Sequence, residues 1–322
     1  MDGYAVDKSV TAGDLRRWPT RDFGAQEAEW TSESSLMILA AEPGEASRSV
    51  YRTSSEDGSL EVQKVAADVL AMSPVPERDY LIVAFETRSR DSILVLMRPS
   101  GKVDRVYTST IEGHITSISF SPDGSKAVLA VRSASGHGPF ELRVFDLMDG
   151  DHRRIVQLAE DMSVFGAPQW TERGTYYVAG KEEAGGDEGA ALYDLYHLPA
   201  GSHTPEPAPG VGKDFVAASI RVSPDGRRLA VVGRLNPQSP TNLYVLDLAA
   251  EELEALTTNE DMEIKTGHDD LAWSANGESA VIVARGALSG EPIVHGAPAN
   301  TLLEDFYNLY EVPVGDGEGA QR

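Results

Sequence analysis

The residues best suited to chemistry are His268, Asp269 and Asp270, an imidazole and two carboxylates in succession after Gly267. Such a run supplies either oxygen and nitrogen donors for a divalent cation or a base with the partner that orients it. A second Gly-His pair, Gly113-His114, and an isolated carboxylate, Asp214 in Lys213-Asp214-Phe215, stand at comparable places further up the chain. Together His268, Asp270, His114 and Asp214 form the candidate acid–base set. A glycine and histidine ahead of a β-strand also serve a structural purpose, the imidazole tying the loop to a neighbouring strand, and for these two histidines that reading takes precedence.

Composition removes several other chemistries. The 322 residues include no cysteine, so disulfides, thiolate zinc sites and thiol nucleophiles are excluded. A formal charge of -23 repels phosphate backbones and anionic lipid, which argues against nucleic-acid and membrane-surface partners. No signal-like apolar run opens the sequence and none of 18 or more apolar residues occurs, so a cytoplasmic location is expected, together with a monomeric state. No glycine loop of a nucleotide site and no Gly-x-Ser-x-Gly elbow is present.

The elements that must position these residues come from a repeat. Residues 117–146 read SISFSPDGSKAVLAVRSASGHGPFELRVFD, and residues 219–247 read SIRVSPDGRRLAVVGRLNPQSPTNLYVLD. In each, a β-rich stretch ends in Ser-Pro-Asp-Gly, where Pro presets φ, Asp bonds its own backbone and Gly takes the positive φ that closes a hairpin. An apolar strand, a polar loop and a third strand ending on Asp follow. Degenerate copies surround Trp30, Met72, Trp170 and Trp273, giving six repeats with Phe120 and Val222, spaced by about 42 to 52 residues as propeller blades are. The second strands, LIVAF from Leu81 and AVLAV from Ala127, are continuously apolar, the pattern of a strand covered on both faces.

The predicted fold is therefore all-β: a six-bladed β-propeller of four-stranded antiparallel blades at about 28–65, 67–110, 114–158, 165–209, 215–258 and 268–316, with a short tail at 318–322. The last repeat lacks a fourth strand. The N-terminal segment 1–27 is expected to supply it, from around Tyr4 to Thr20, closing the ring without an open edge.

SFSPDGSKAVLAV with LRVFDL, and RVSPDGRRLAVVG with LYVLDL, resemble the repeats of TolB-like and prolyl-oligopeptidase-type propellers, and Gly113-His114 with Phe145-Asp146 resembles the WD repeat. The resemblance implies the fold and not a duty, since the chain has neither the TolB N-terminal domain nor a hydrolase domain after the propeller. Six-bladed lactonase-like enzymes hold calcium in the central channel, and by that likeness Glu29, Asp214 and Asp270 are the candidate metal ligands; no cofactor is otherwise expected.

In such a fold the loops leading into the first strands ring one mouth of the channel: Gln26–Glu29, Glu112–His114, Val164–Gly166, Lys213–Phe215 and Gly267–Asp270. Insertions at Ser133–Pro139, Lys181–Gly189 and Gly286–Glu304 should emerge on the same face, the last containing His295 and long enough to act as a lid. Two function classes remain. One is a binding module recognising a peptide, protein or small molecule at the channel mouth. The other is a non-redox hydrolase, lyase or cyclase at the same place.

Overall fold

The structure, a computed structural model, describes residues 4–5, 16–17, 24–32, 35–41, 47–56, 59–76, 78–135, 139–181, 193–258, 263–266, 270–274, 276–285 and 308–314. All regular structure among them is β. Strands β1 (Tyr4–Ala5) and β2 (Arg16–Arg17) form a two-stranded sheet, and the remaining strands form six four-stranded sheets. The first sheet holds β3 (Gly24–Ser32), β4 (Ser35–Ala41), β5 (Arg48–Glu56) and β6 (Ser59–Ala66). The second holds β7 (Val69–Pro74), β8 (Leu81–Glu86), β9 (Ser92–Met97) and β10 (Val103–Val106). The third comprises β11 (His114–Phe120), β12 (Lys126–Arg132), β13 (Phe140–Asp146) and β14 (His152–Gln157). The fourth comprises β15 (Met162–Thr171), β16 (Gly174–Lys181), β17 (Tyr193–Pro199) and β18 (Glu206–Pro207). The fifth has β19 (Val216–Val222), β20 (Arg228–Arg234), β21 (Asn242–Asp247) and β22 (Glu252–Ala255). The sixth has β23 (Glu263–Ile264), β24 (Leu271–Trp273), β25 (Ser279–Arg285) and β26 (Asn308–Pro313). Tertiary contacts divide the chain into two compact units, the first carrying the sheets up to Met162 and the second those from Ser163 onward.

The turns after the first strands are built by their own side chains. Ser121 Oγ donates to Asp123 Oδ1 at 2.6 Å, that oxygen accepts from the Ser125 amide, and the Lys126 amide closes on Ser121 Oγ at 3.1 Å. Ser223, Asp225, Arg227 and Arg228 reproduce the arrangement, and Ser274, Asn276, Glu278 and Ser279 do so with Asn in place of Asp. These donors hold the Asp123 carboxyl down at about 2, the Ser121 hydroxyl contributing most. The glycine of each turn has φ near +70° (64°, 71° and 71° at Gly124, Gly226 and Gly277), a conformation other residues adopt only with strain. At the third-to-fourth connections Asp146 Oδ1 accepts from the Met148 amide and Asp247 Oδ1 from those of Ala249 and Ala250. That accounts for the aspartate ending β13 and β21.

The central residues of second strands such as β20 are apolar because neighbours cover both faces. In β20, Leu229 and Val231 pack with Tyr176, Val178 and Phe215 on one side, while Ala230 and Val232 pack with Leu271, Ile282 and Tyr310 on the other. Polar groups also cross between sheets: the Trp273 indole N–H donates to the Arg221 carbonyl at 2.8 Å, and the Tyr107 hydroxyl to that of Leu147 at 2.8 Å. The first strands of the first, second, third and fifth sheets share an irregularity at one place, leaving Gln26, Leu70, Thr116 and Ala218 unmatched across the ladder. Such bulges bend a strand and redirect the side chain beside them.

The expected N-terminal closing strand, around Tyr4 to Thr20, falls largely outside the described residues. Tyr4 pairs Arg17 and Ala5 pairs Arg16. The sixth sheet also contains a two-residue strand from just upstream of β24, which extends the β24 row and does not fill the place beside β26. Residues Glu263 and Ile264 pair Arg285 and Ala284, on the same edge of β25 that Leu271–Trp273 occupies lower down. The physical reason is length: β25 spans seven residues and β24 covers only three, so its upper end is open to the nearest preceding segment. Among the described residues no strand lies outside β26.

Candidate functional site

Antiparallel pairing fixes which loops share an end of each sheet. His114, the first residue of β11, lies opposite Arg132, the last of β12; Val69 lies opposite Phe85, and Val216 opposite Arg234. The loops leading into first strands and those joining second to third strands therefore lie together, opposite the Ser-Pro-Asp-Gly turns. Two groups of side chains at these ends merit comparison, one in each unit.

In the first unit the lead-in to β11 is locked. Gly113 has φ +98°, and a Cβ there would stand 2.4 Å from the Arg132 carbonyl oxygen. The hydroxyl of Ser92, which is wholly buried, donates to the Gly113 carbonyl at 2.7 Å and accepts from the Ile115 amide at 3.0 Å. His114 then points to the preceding sheet, its Nε2 lying 3.3 Å from Glu86 Oε1 at the end of β8, within ion-pair range but without hydrogen-bond alignment. Both side chains are partly open to solvent, at 32% and 42%. The histidine thus links the loop to a neighbouring sheet while remaining accessible.

In the second unit the corresponding lead-in, Lys213-Asp214-Phe215, borders an open depression of about 140 Å³. Its lining includes Asp194, Leu195 and Tyr196 of β17, Pro207 and Ala208, and Val211 to Lys213 with Phe215. Tyr196 stacks on the buried Tyr177 with ring centroids 5.5 Å apart, and its hydroxyl lies 3.4 Å from Asp194 Oδ2. Burial, and then the adjacent Asp194 charge, push the Tyr196 hydroxyl up, so at neutral pH it is protonated and donates to that carboxylate. Phe215 is buried and meets Tyr244 edge-on at 5.2 Å. Lys213 and Asp194 line the same space as exposed side chains, yet they form no ion pair with each other. Gly212 has open space where a Cβ would go, in contrast to Gly113.

The structure distributes the sequence-derived candidates over both units. His114 belongs to the first; Asp214, exposed, and Asp270, half-buried just before β24, belong to the second. The backbone of Glu29 pairs Met37 in the first sheet, and its side chain lies outside the described residues, as do His268, Asp269, residues 286–304 with His295, and residues 136–138 and 182–189 of the other two insertions. Among the described residues no three His, Asp or Glu side chains converge as a cation site. Sequence reasoning missed Glu86 and Asp194. A polar residue amid Tyr193-Asp194-Leu195-Tyr196 was the available signal for the second; the first depends on pairing between sheets and left none.

Among the described residues no helix is long and apolar enough to cross a membrane. No family model matches the chain, and no curated protein matches it. Similar solved structures include an oligogalacturonate lyase in complex with manganese, at 12% identity over 92% of this chain and 90% of that one, TM-score 0.53. They also include the β-propeller domain of the trilobed protease from Pyrococcus furiosus, described as having an open velcro topology, at 10% identity over 83% and 80%, TM-score 0.53. An acylaminoacyl peptidase from Pyrococcus horikoshii is similar at 10% identity and TM-score 0.57 over 83% of this chain, which spans only 44% of that one. At such identities the likeness is one of architecture. On the four-stranded antiparallel sheets and these neighbours, the chain has a β-propeller fold.

Proposed function

We propose that the six sheets are the blades of one TolB-like propeller and that the protein is a binding module, recognising a small molecule or peptide segment at loops leading into the first strands. On this reading the N-terminal segment 1–27 supplies the strand that closes the ring against the last blade. The observation that carries the binding reading is the depression beside Lys213: aromatic and aliphatic walls, two opposite charges not paired with each other, and room for a ligand of a few heavy atoms. A net charge of -23 favours neutral or cationic ligands. The test is a ligand-observed NMR screen of amino acids, dipeptides and monosaccharides against the full chain and a Gly212→Leu variant. Gly212 lines the depression and an added Cβ meets no atom within 4 Å, so the bulkier side chain is accommodated beside the ligand space; binding should weaken strongly while the melting temperature stays the same, and binding unchanged in the variant contradicts the reading.

A second reading has its own observation. His114 and Glu86, 3.3 Å apart and both reachable from solvent, have the composition of a base and its orienting carboxylate. On this reading the acid–base site also draws on Asp214, His268 and Asp270, with Glu29, Asp214 and Asp270 as the oxygen donors for a divalent cation such as calcium. Turnover of any chromogenic ester or glycoside would then be abolished by both His114→Gln and Glu86→Gln, and unchanged turnover in those variants rules it out.

A further inference from the structure

Resting on the binding reading, we infer that the depression beside Lys213 selects a small zwitterion, a molecule with one ammonium and one carboxylate of the α-amino-acid class. The carboxylate of Asp194 stands on β17 and the ammonium of Lys213 on the loop before β19, so the two charges come from different sheets and face one space. They leave a gap wider than an ion pair, and Lys213 makes no hydrogen bond or ion pair with another described residue. A ligand with charges in the complementary order satisfies both at once, its ammonium on Asp194 and its carboxylate on Lys213, by charge-assisted hydrogen bonds.

Size and lining narrow the class. At about 140 Å³ the space is comparable to cavities of about 150 Å³ that admit benzene, the bulk of an amino acid with a short side chain. Leu195, Ala208, Val211 and Phe215 offer an apolar wall for that side chain, and the Tyr196 ring offers a face for the ammonium. The field of the whole molecule agrees: at a net charge of -23 a free anion is repelled, whereas a zwitterion carries its carboxylate in as part of a neutral molecule.

Isothermal titration of the full chain with L-valine, L-valine methyl ester and N-acetyl-L-valine tests this, because the three keep the side chain and differ only in charge. Valine should bind at least about tenfold more tightly than either derivative, each of which lacks one charge-assisted contact. Lys213→Ala should weaken valine about tenfold and leave the methyl ester unaltered, whereas Asp194→Asn should weaken both. Either derivative binding as tightly as valine, with Gly212→Leu still weakening it strongly, overturns the zwitterion inference and leaves the binding reading intact. Valine binding unchanged by both Gly212→Leu and Lys213→Ala overturns the two together, and no binding by any of the three probes at millimolar concentration overturns the inference.

Discussion

The third and fifth sheets are nearly the same at one end and different at the other. At the turn end, Ser121 with Asp123 and Ser223 with Asp225 make the same hydrogen bonds with the same residue spacing, and both aspartates are held below the ordinary carboxylate range. At the opposite end, the third sheet begins with a locked Gly113 and a histidine engaged with Glu86. The fifth begins beside a free-standing Gly212 and a lysine bordering a depression. Where the chain must reverse, local chemistry is copied; where the sheets open to solvent, it diverges. On the proposed binding reading, specificity belongs to the diverging end.

The sharpest way to break that comparison is to place alanine at each glycine. Gly113→Ala forces a Cβ against the Arg132 carbonyl at φ +98° and should cost about 3 kcal/mol, whereas Gly212→Ala should change stability by less than about 0.5 kcal/mol. Thermal unfolding of the two variants measures the difference, and equal effects would refute it. Next in size is Ser92→Ala. It removes the hydroxyl joining the Gly113 carbonyl to the Ile115 amide in a buried setting, with an expected loss of about 2 kcal/mol in denaturant unfolding. A loss below about 0.5 kcal/mol would mean that this lead-in is not locked.

The smallest effect lies at the copied end. Because Asp123 is held at about 2 against an ordinary value of 3.8, its contribution is complete above pH 3.8 and fades as the pH falls towards 2. Asp123→Asn should therefore remove a small part of the acid dependence of the melting temperature between those values, and leave the profile above pH 5 parallel to that of the parent. The same substitution at Asp225 should act in the same direction, since its carboxyl is also lowered, mainly by Ser223.

The copied end was the legible end. Ser, Pro, Asp and Gly carry their conformational instructions in adjacent side chains, so Ser121–Gly124 could be read as a turn without knowing anything distant. The apolar run of β20 likewise signalled cover on both faces before its neighbours were known. Trp273 stood out by its place in the repeat, although its bond to the Arg221 carbonyl, 52 residues away, did not. What escaped was set by pairing across long separations. The pairing of Tyr4–Ala5 with Arg16–Arg17 left no signal in the sequence, and most of the segment expected to close the last sheet lies outside the described residues. Glu86 beside His114, and Asp194 facing Lys213, are juxtapositions made by the stacking of sheets. No local pattern encodes them.

One measurement tests the central claim, that recognition belongs to the open lead-in of the fifth sheet and not to the locked one of the third. Amide chemical shifts of isotope-labelled full-length protein, followed during titration with L-valine, report on both places at once. The account predicts shifts confined to Asp194–Tyr196 and Gly212–Phe215, with Glu86 and Gly113–Ile115 unmoved. Shifts concentrated at Glu86 and Gly113–Ile115, with the Lys213 region silent, would contradict it.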